Sequence, residues 1–362
     1  MVKLHDLAGL GQAIWFDYIQ RSLITSGELQ ALIDKGIRGV TSNPTIFEKA
    51  IAGSTDYDED LKRLARNGSS VDEIYENLVL SDISRTADLF RPVYDSTAGQ
   101  DGYVSIEVSP RLAYDTAKTI SEAERLFAAL GKPNIMIKVP ATDQGIPAVE
   151  ALISQGINVN VTLLFSVDQY LKAAEAYLKG LERLLASGGD VSRVASVASF
   201  FVSRVDTLVD AQLEPTHDTD LPGKIAIANA KVAYWHFHQI FSGERWERLA
   251  AKGARVQRLL WASTGTKNPN YPDTLYVDSL IGEHTVNTLP PATLNAFLDH
   301  GEVALTLAMG LDEAKAQVGR LEVLGIDLAA VTKKLEEDGV GSFAKSFESL
   351  MSSITKKRAE VA

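Results

Sequence analysis

Two hydrophobic rhythms alternate along the chain. Short apolar segments in which every second residue changes character recur at eight places: "AIWFDYI" from Ala13, "GVTSN" from Gly39, "YVSIEVS" from Tyr103, "NIMIKVP" from Asn134, "INVNVTLLF" from Ile157, "VASVASFF" from Val194, "VQRLLWAS" from Val256 and "TVNTLP" from Thr285. Their period of two and their β-branched content predict strands. Between them lie stretches with the boundary residues of helices. In "SVDQYLKAAEAYLKGLERLLASGG", Ser166 is the expected N-cap, Gln169 completes a capping box and Gly188 marks the stop. Strand–helix alternation predicts a parallel sheet, and eight units in 362 residues fit a closed (β/α)8 barrel of the TIM type better than a doubly wound sheet. No linker, low-complexity tract or repeat of about 20 to 50 residues divides the chain, so residues 1–362 are expected to form one α/β domain. From about Glu302 onward the pattern reads as additional helices packed on the barrel, ending in a charged tail.

The faces of the strands differ in chemistry. One face is aliphatic: Val40, Val104, Ile106, Val108, Ile135, Ile137, Val139, Val159, Val161 and Leu163. It is expected to pack outward on the helices. The other holds Trp15 and Asp17, Thr41 and Asn43, Ser105 and Glu107, Met136 and Lys138, Asn160 and Thr162, Ser199 and Phe201, Trp261 and Ser263. In a barrel this mixed face points inward, and its polar residues near the strand ends converge at the C-terminal mouth, where active sites of this fold lie.

Lys138 stands out because it interrupts a run that reads as buried strand. An amine taken out of water loses the solvation of its charged form, and the free amine attacks carbonyls to give a Schiff base. The competing reading is a buried ion pair with Glu107 or Asp17. Other candidates also have two readings. Asp17 reads as a strand-end cap as well as a base. Asn43 before Pro44 is a good helix N-cap whether or not it meets a ligand. Glu107 reads as an exposed carboxylate, although Ile106 and Val108 flank it. Arg204 begins the helical stretch "SRVDTLVDAQL", where Asp206 and Asp210 offer surface pairs. The loop "STGTKNP" suits an anion through small residues and a lysine, and suits an ordinary turn equally well.

Composition narrows the partners. With 36 basic against 47 acidic residues the formal charge is −11, which opposes nucleic acid or an anionic membrane surface as the main partner. An anionic ligand then needs a local basic pocket. The chain has no cysteine, which excludes disulfides, thiolate nucleophiles and Cys-zinc sites. "MVKLHDLAGLGQ" at the N-terminus lacks an uninterrupted apolar core, and no run of about 18 apolar residues occurs, so a soluble cytoplasmic protein is expected. "GLG" at Gly9 to Gly11 precedes the first strand, the wrong order for a dinucleotide fingerprint. His236 and His238 are two apart on a helical stretch and face different ways, which argues against a shared metal.

The motifs "GVTSNPTIFEKAI", "VSIEVSP", "IMIKVPAT", "INVNVTLLFS", "ASFFVSRVDTLVD" and "LLWASTGTKNP" resemble, in this order, those of the transaldolases, from about Asp17 to Pro290. The resemblance implies a barrel enzyme that moves a dihydroxyacetone unit from sedoheptulose 7-phosphate to glyceraldehyde 3-phosphate, giving erythrose 4-phosphate and fructose 6-phosphate, in the pentose phosphate pathway, without metal or organic cofactor. It implies that Lys138 is the Schiff-base lysine and that Asp17 takes the C4 hydroxyl proton during carbon–carbon cleavage. Glu107 then works through a water held with Thr162. Asn43, Asn160 and Ser199 match residues that hold substrate hydroxyls, Phe201 lines the site, Arg204 matches the phosphate-binding arginine, and Ser263 matches the substrate-binding serine of the seventh-strand loop. Where many members have an arginine two residues after that serine, this chain has Gly265, and Lys267 is expected to supply the second charge. Two alternatives accompany this reading: a fructose-6-phosphate aldolase-like enzyme that releases the three-carbon unit, and a non-catalytic barrel that binds sugar phosphates. The oligomeric state, monomer or homodimer, is left open.

Overall fold

The computed structural model describes residues 3–360. Eight parallel strands close into a barrel in chain order: β1 (Gln12–Phe16), β2 (Gly39–Thr41), β3 (Val104–Glu107), β4 (Ile135–Pro140), β5 (Val159–Leu164), β6 (Ser196–Phe201), β7 (Arg258–Ala262) and β8 (Thr285–Leu289). The ring shuts where β8 pairs with β1, Leu289 opposite Phe16. Each strand coincides with one of the eight segments marked by hydrophobic alternation, β1 beginning one residue earlier, at Gln12. Helices cover the outside, and the helix Val167–Ala186 starts with the reciprocal Ser166/Gln169 capping box. None among the described residues is long and apolar enough to cross a membrane. At the N-terminal end, Arg258 pairs with Asp101 at 2.8 Å and donates to the Gln100 carbonyl, which ties the strand ends to the preceding loop.

Register fixes which residues face inward. Glu107 lies opposite Lys138, and Lys138 opposite Asn160. On β7 the alternation is one residue out of phase with the sequence expectation. Phe201 pairs with Ala262 and Phe200 with Trp261, and in-register neighbours share a face, so Leu260 and Ala262 point inward with Phe201. Trp261 points outward and packs edge-on against Phe200, ring centroids 6.1 Å apart. Ser263 still reaches the mouth because the chain turns there through a left-handed conformation, φ 56°.

A second departure from regular strand geometry follows Thr162. Leu163 has φ 60°, and the β5–β6 register shifts between Val161 and Leu164. A β-bulge re-aims side chains at the rim of a barrel, at a cost of about 1–3 kcal/mol for a non-glycine residue in this region. The Leu163 side chain meets the C-terminal helix Leu328–Ala359 at Gly339, where a Cβ would lie 3.0 Å from Leu163 Cδ2. This helix crosses beside the mouth. Thr45 bonds to Ser346 at 2.9 Å, and Gln169 donates to Glu336 at 2.7 Å. The expected charged tail is instead the last turns of this helix, and Lys357 is anchored on Asp58 at 2.7 Å.

Candidate active site

A cavity of about 470 Å³ opens at the C-terminal ends of the strands. Asp17, Asn43, Lys138, Thr162, Ser199, Phe201, Arg204, Ser263 and Lys267 all line it, so nine of the eleven residues singled out from the sequence share one surface. Glu107 and Asn160 lie behind that surface. Asn160 is level with Lys138 in the sheet but shorter, and its amide is occupied: it donates to Ser105 Oγ at 3.1 Å and accepts from Ser199 Oγ at 2.7 Å. It therefore aims Ser199 at the cavity.

Lys138 is 4% exposed and its Nζ donates to the Ser42 carbonyl at 3.0 Å. The same nitrogen is 3.1 Å from Glu107 Oε2, so the buried ion pair that competed with a chemical reading is present. Beyond this contact with Lys138, neither Glu107 oxygen has a hydrogen-bond partner among the described residues. Nor has the buried Thr162 hydroxyl. A structural ion pair in a dry interior needs its remaining lone pairs satisfied to offset desolvation. Glu107 Oε1 and the Thr162 hydroxyl have no protein partner, and buried polar atoms left this way suit a ligand, a water or proton traffic. Burial pushes the Glu107 carboxyl above its usual range, and the charge of Lys138 opposes that shift.

Asp17 follows β1 and is held by its own amide, which donates to the Leu289 carbonyl at 2.9 Å. Burial raises its pKa from the ordinary 3.8 to about 6, although Lys138, Lys267 and Arg204 pull it back down. Asn43 takes both of its expected roles in position: its Oδ1 caps the helix Pro44–Ala52 by accepting from Ile46 N at 2.9 Å, while the residue lines the cavity.

The basic end is built on the helix Ser203–Leu213. Arg204 makes no ion pair among the described residues, and its guanidinium stands 5.3 Å over the Phe201 ring. The surface pairing that the sequence allowed does not form. Asp206 accepts from Ala226 N at 2.7 Å and Tyr276 OH at 2.8 Å, and Asp210 accepts from Gly223 N at 3.1 Å and Tyr271 OH at 2.7 Å. Ser203 N donates to the Ser263 carbonyl at 3.0 Å and the two hydroxyls lie 3.0 Å apart, so the turn after β7 is stapled to the helix start. Lys267 lies exposed at the rim. At Gly265 a Cβ would sit 2.9 Å from Thr293 Oγ1, so a long side chain there would require Thr293 to shift.

Sequence reading missed Lys49, Ser342 and Phe343, which also line the cavity. Lys49 was recoverable, since it lies one helical turn beyond Thr45, another lining residue. Phe343, whose ring centroid is 5.9 Å from Lys138 Nζ, comes from a helix remote in sequence and carried no local signal.

Fold and site together define a (β/α)8-barrel enzyme whose cavity combines a buried lysine, the raised carboxyl of Asp17 and a basic rim, with the raised carboxyl of Glu107 behind the lysine. A family model described as Transaldolase/Fructose-6-phosphate aldolase matches residues 14–354. A transaldolase of Trichodesmium erythraeum is 49% identical, the match covering 99% of this chain and 98% of that one. A transaldolase of Neisseria gonorrhoeae is 50% identical over 97% of this chain and 99% of its own. The chain belongs to the transaldolase/fructose-6-phosphate aldolase family.

Proposed function

We propose that the chain transfers a dihydroxyacetone unit from sedoheptulose 7-phosphate to glyceraldehyde 3-phosphate, releasing erythrose 4-phosphate and fructose 6-phosphate, through a Schiff base on Lys138. The observation that carries this reading is a buried lysine that lines the mouth cavity together with an Asp17 raised to about 6 and that pairs, behind the cavity wall, with the buried Glu107. Glu107 takes up the proton that Lys138 must lose to attack the ketose carbonyl. It then protonates the carbinolamine hydroxyl, through a water held against Thr162, so that water departs and an iminium remains. Asp17, ionised at neutral pH, accepts the C4 hydroxyl proton, the C3–C4 bond breaks, and its electrons move onto the iminium to give an enamine. Donor groups of Asn43 and Ser199 hold the hydroxyls of the three-carbon unit. The enamine attacks the second aldehyde, and hydrolysis frees the product.

The phosphate meets Arg204, Lys267 and the start of the helix Ser203–Leu213, which no side chain caps. Replacing Arg204 by alanine is expected to raise KM for glyceraldehyde 3-phosphate about 10- to 100-fold, the worth of a charge-assisted hydrogen bond. Transfer to unphosphorylated glyceraldehyde should change much less. Steady-state kinetics with the two acceptors check it. Sugar phosphates are charged metabolites retained inside cells, and on that ground we place the reaction in the cytoplasm.

The direct test is to incubate the protein with fructose 6-phosphate, reduce with borohydride and look for a mass increment on the peptide containing Lys138, with and without erythrose 4-phosphate. No adduct would reject the mechanism. Free dihydroxyacetone released at turnover rates without an acceptor would instead mark an aldolase.

A further inference from the structure

Glu107 is 8% exposed, yet it does not line the mouth cavity. It lines two other spaces. One is a slot of about 10 Å³ shared with Ser42, Asn43 and Tyr75, close to the smallest volume that holds a single water. The other, of about 240 Å³, lies between the helices Val71–Ser96 and Thr116–Leu130 and has the exposed Asp72, Arg111 and Arg125 among its lining residues. Tyr75, Ile106 and Glu107 line both spaces, and Asn43 lines the slot and the mouth cavity alike. Three separate spaces thus succeed one another through shared lining residues, from the exposed side chains of the outer cavity, past the buried Glu107 carboxyl, to the mouth where Lys138 lies.

The reaction needs such a route. Each turnover loses one water when the carbinolamine collapses and regains one when the product iminium hydrolyses. At both moments a sugar phosphate fills the mouth, anchored at its basic rim. We propose that the cavity behind Glu107 is the enzyme's water and proton port, a back entrance through which water reaches and leaves the Schiff-base carbon while substrate occupies the front. The proposal rests on Lys138 and Glu107 acting as described above. In dehydration Glu107 donates its proton to the carbinolamine hydroxyl, the C–O bond breaks, and the water leaves past Tyr75. In hydrolysis an entering water forms the new C–O bond and returns its proton to the Glu107 carboxylate, so atoms and charge balance over the cycle. The C-terminal helix supplies one wall of the port. Phe347 of the C-terminal helix packs edge-on against Tyr75, centroids 5.2 Å apart, and the Arg111 guanidinium stands 5.1 Å from the Phe347 ring. Burial, and after it the Glu107 charge, raise the Tyr75 phenol well above its ordinary value, which keeps it a neutral neighbour for passing water.

The test fills the port without touching the reacting groups. Ser109 lines the outer cavity, is partly exposed and makes no side-chain cap bond, so Ser109→Leu adds bulk without deleting a cap. Leu80→Phe fills the same space from the opposite helix. The readouts are exchange of ¹⁸O from water into the C2 carbonyl of fructose 6-phosphate, kcat, and the rate at which enzyme preloaded with the three-carbon enamine forms its bond to an acceptor, a step that uses no water. Expected in variants with parental melting temperature is a fall of about tenfold in exchange and kcat together, with the bond-forming step unchanged. Parental exchange in both folded variants would overturn the port, and so would an equal fall in all three rates. Absence of a borohydride adduct on Lys138 in the parent protein would instead overturn the site assignment beneath it.

Discussion

Replacing Lys138 by arginine should leave a folded protein that forms no borohydride-trapped adduct with fructose 6-phosphate and turns over about 10⁴- to 10⁶-fold more slowly than the parent. Arginine is the informative choice because it keeps a positive charge opposite Glu107, 3.1 Å from the present ammonium, while its guanidinium cannot form an imine. A change to alanine or methionine would strand Glu107 as a buried, unpaired carboxyl, a penalty of several kcal/mol that confuses lost chemistry with lost stability. Thermal melting of the arginine variant close to the parent, together with loss of the adduct, would separate the two. Retained turnover would remove the Schiff base from the mechanism.

Asp17→Asn should have the next largest effect, and a different one. The adduct on Lys138 should still form, because imine formation does not need a base at C4, while carbon–carbon cleavage slows by about 10²- to 10⁴-fold. The pH profile gives a second handle. The parent needs Asp17 ionised, so with its pKa at about 6 the cleavage rate should fall as pH drops below that value and level off above it. The asparagine variant should lack this acid limb. Stability should move the other way. Folding raises the Asp17 pKa from 3.8 to about 6, so the folded state favours the protonated form, and ionisation costs stability as pH rises through that window. Above it the cost is fully present. Asp17→Asn should therefore melt higher than the parent at pH 7, with the difference shrinking towards pH 4; equal melting at pH 7 would show that Asp17 carries no such penalty.

These two residues illustrate different degrees of legibility. Lys138 was visible because a charge in an otherwise apolar strand is costly enough to demand a reason. Its register opposite Glu107 and Asn160 came only with the pairing of β3, β4 and β5. Asp17 was visible only by position after the first strand, since nothing local shows that Leu289 of β8 holds its amide. The phase of β7 was misread because both choices look alike: Leu260, Trp261 and Ala262 are all apolar, and only pairing with β6 distinguishes the inward from the outward set. The mode of action of Asn160 was likewise hidden, because its bonds go to Ser105 and Ser199 on strands remote in sequence.

By itself the amino-acid sequence determined the eight strands, the helix boundaries with strong caps and the set of polar residues at the strand ends, since periodicity, capping and turn chemistry act over a few residues. Tertiary structure alone decided which of these residues meet. It turned Ser263 back to the mouth, sent Asp206 and Asp210 away from Arg204, left Glu107 with Lys138 as its one polar partner among the described residues and brought Phe343 to Lys138. Those outcomes depend on barrel closure and on the course of the last helix, which couple residues far apart along the chain, and local preference carries no information about such distances.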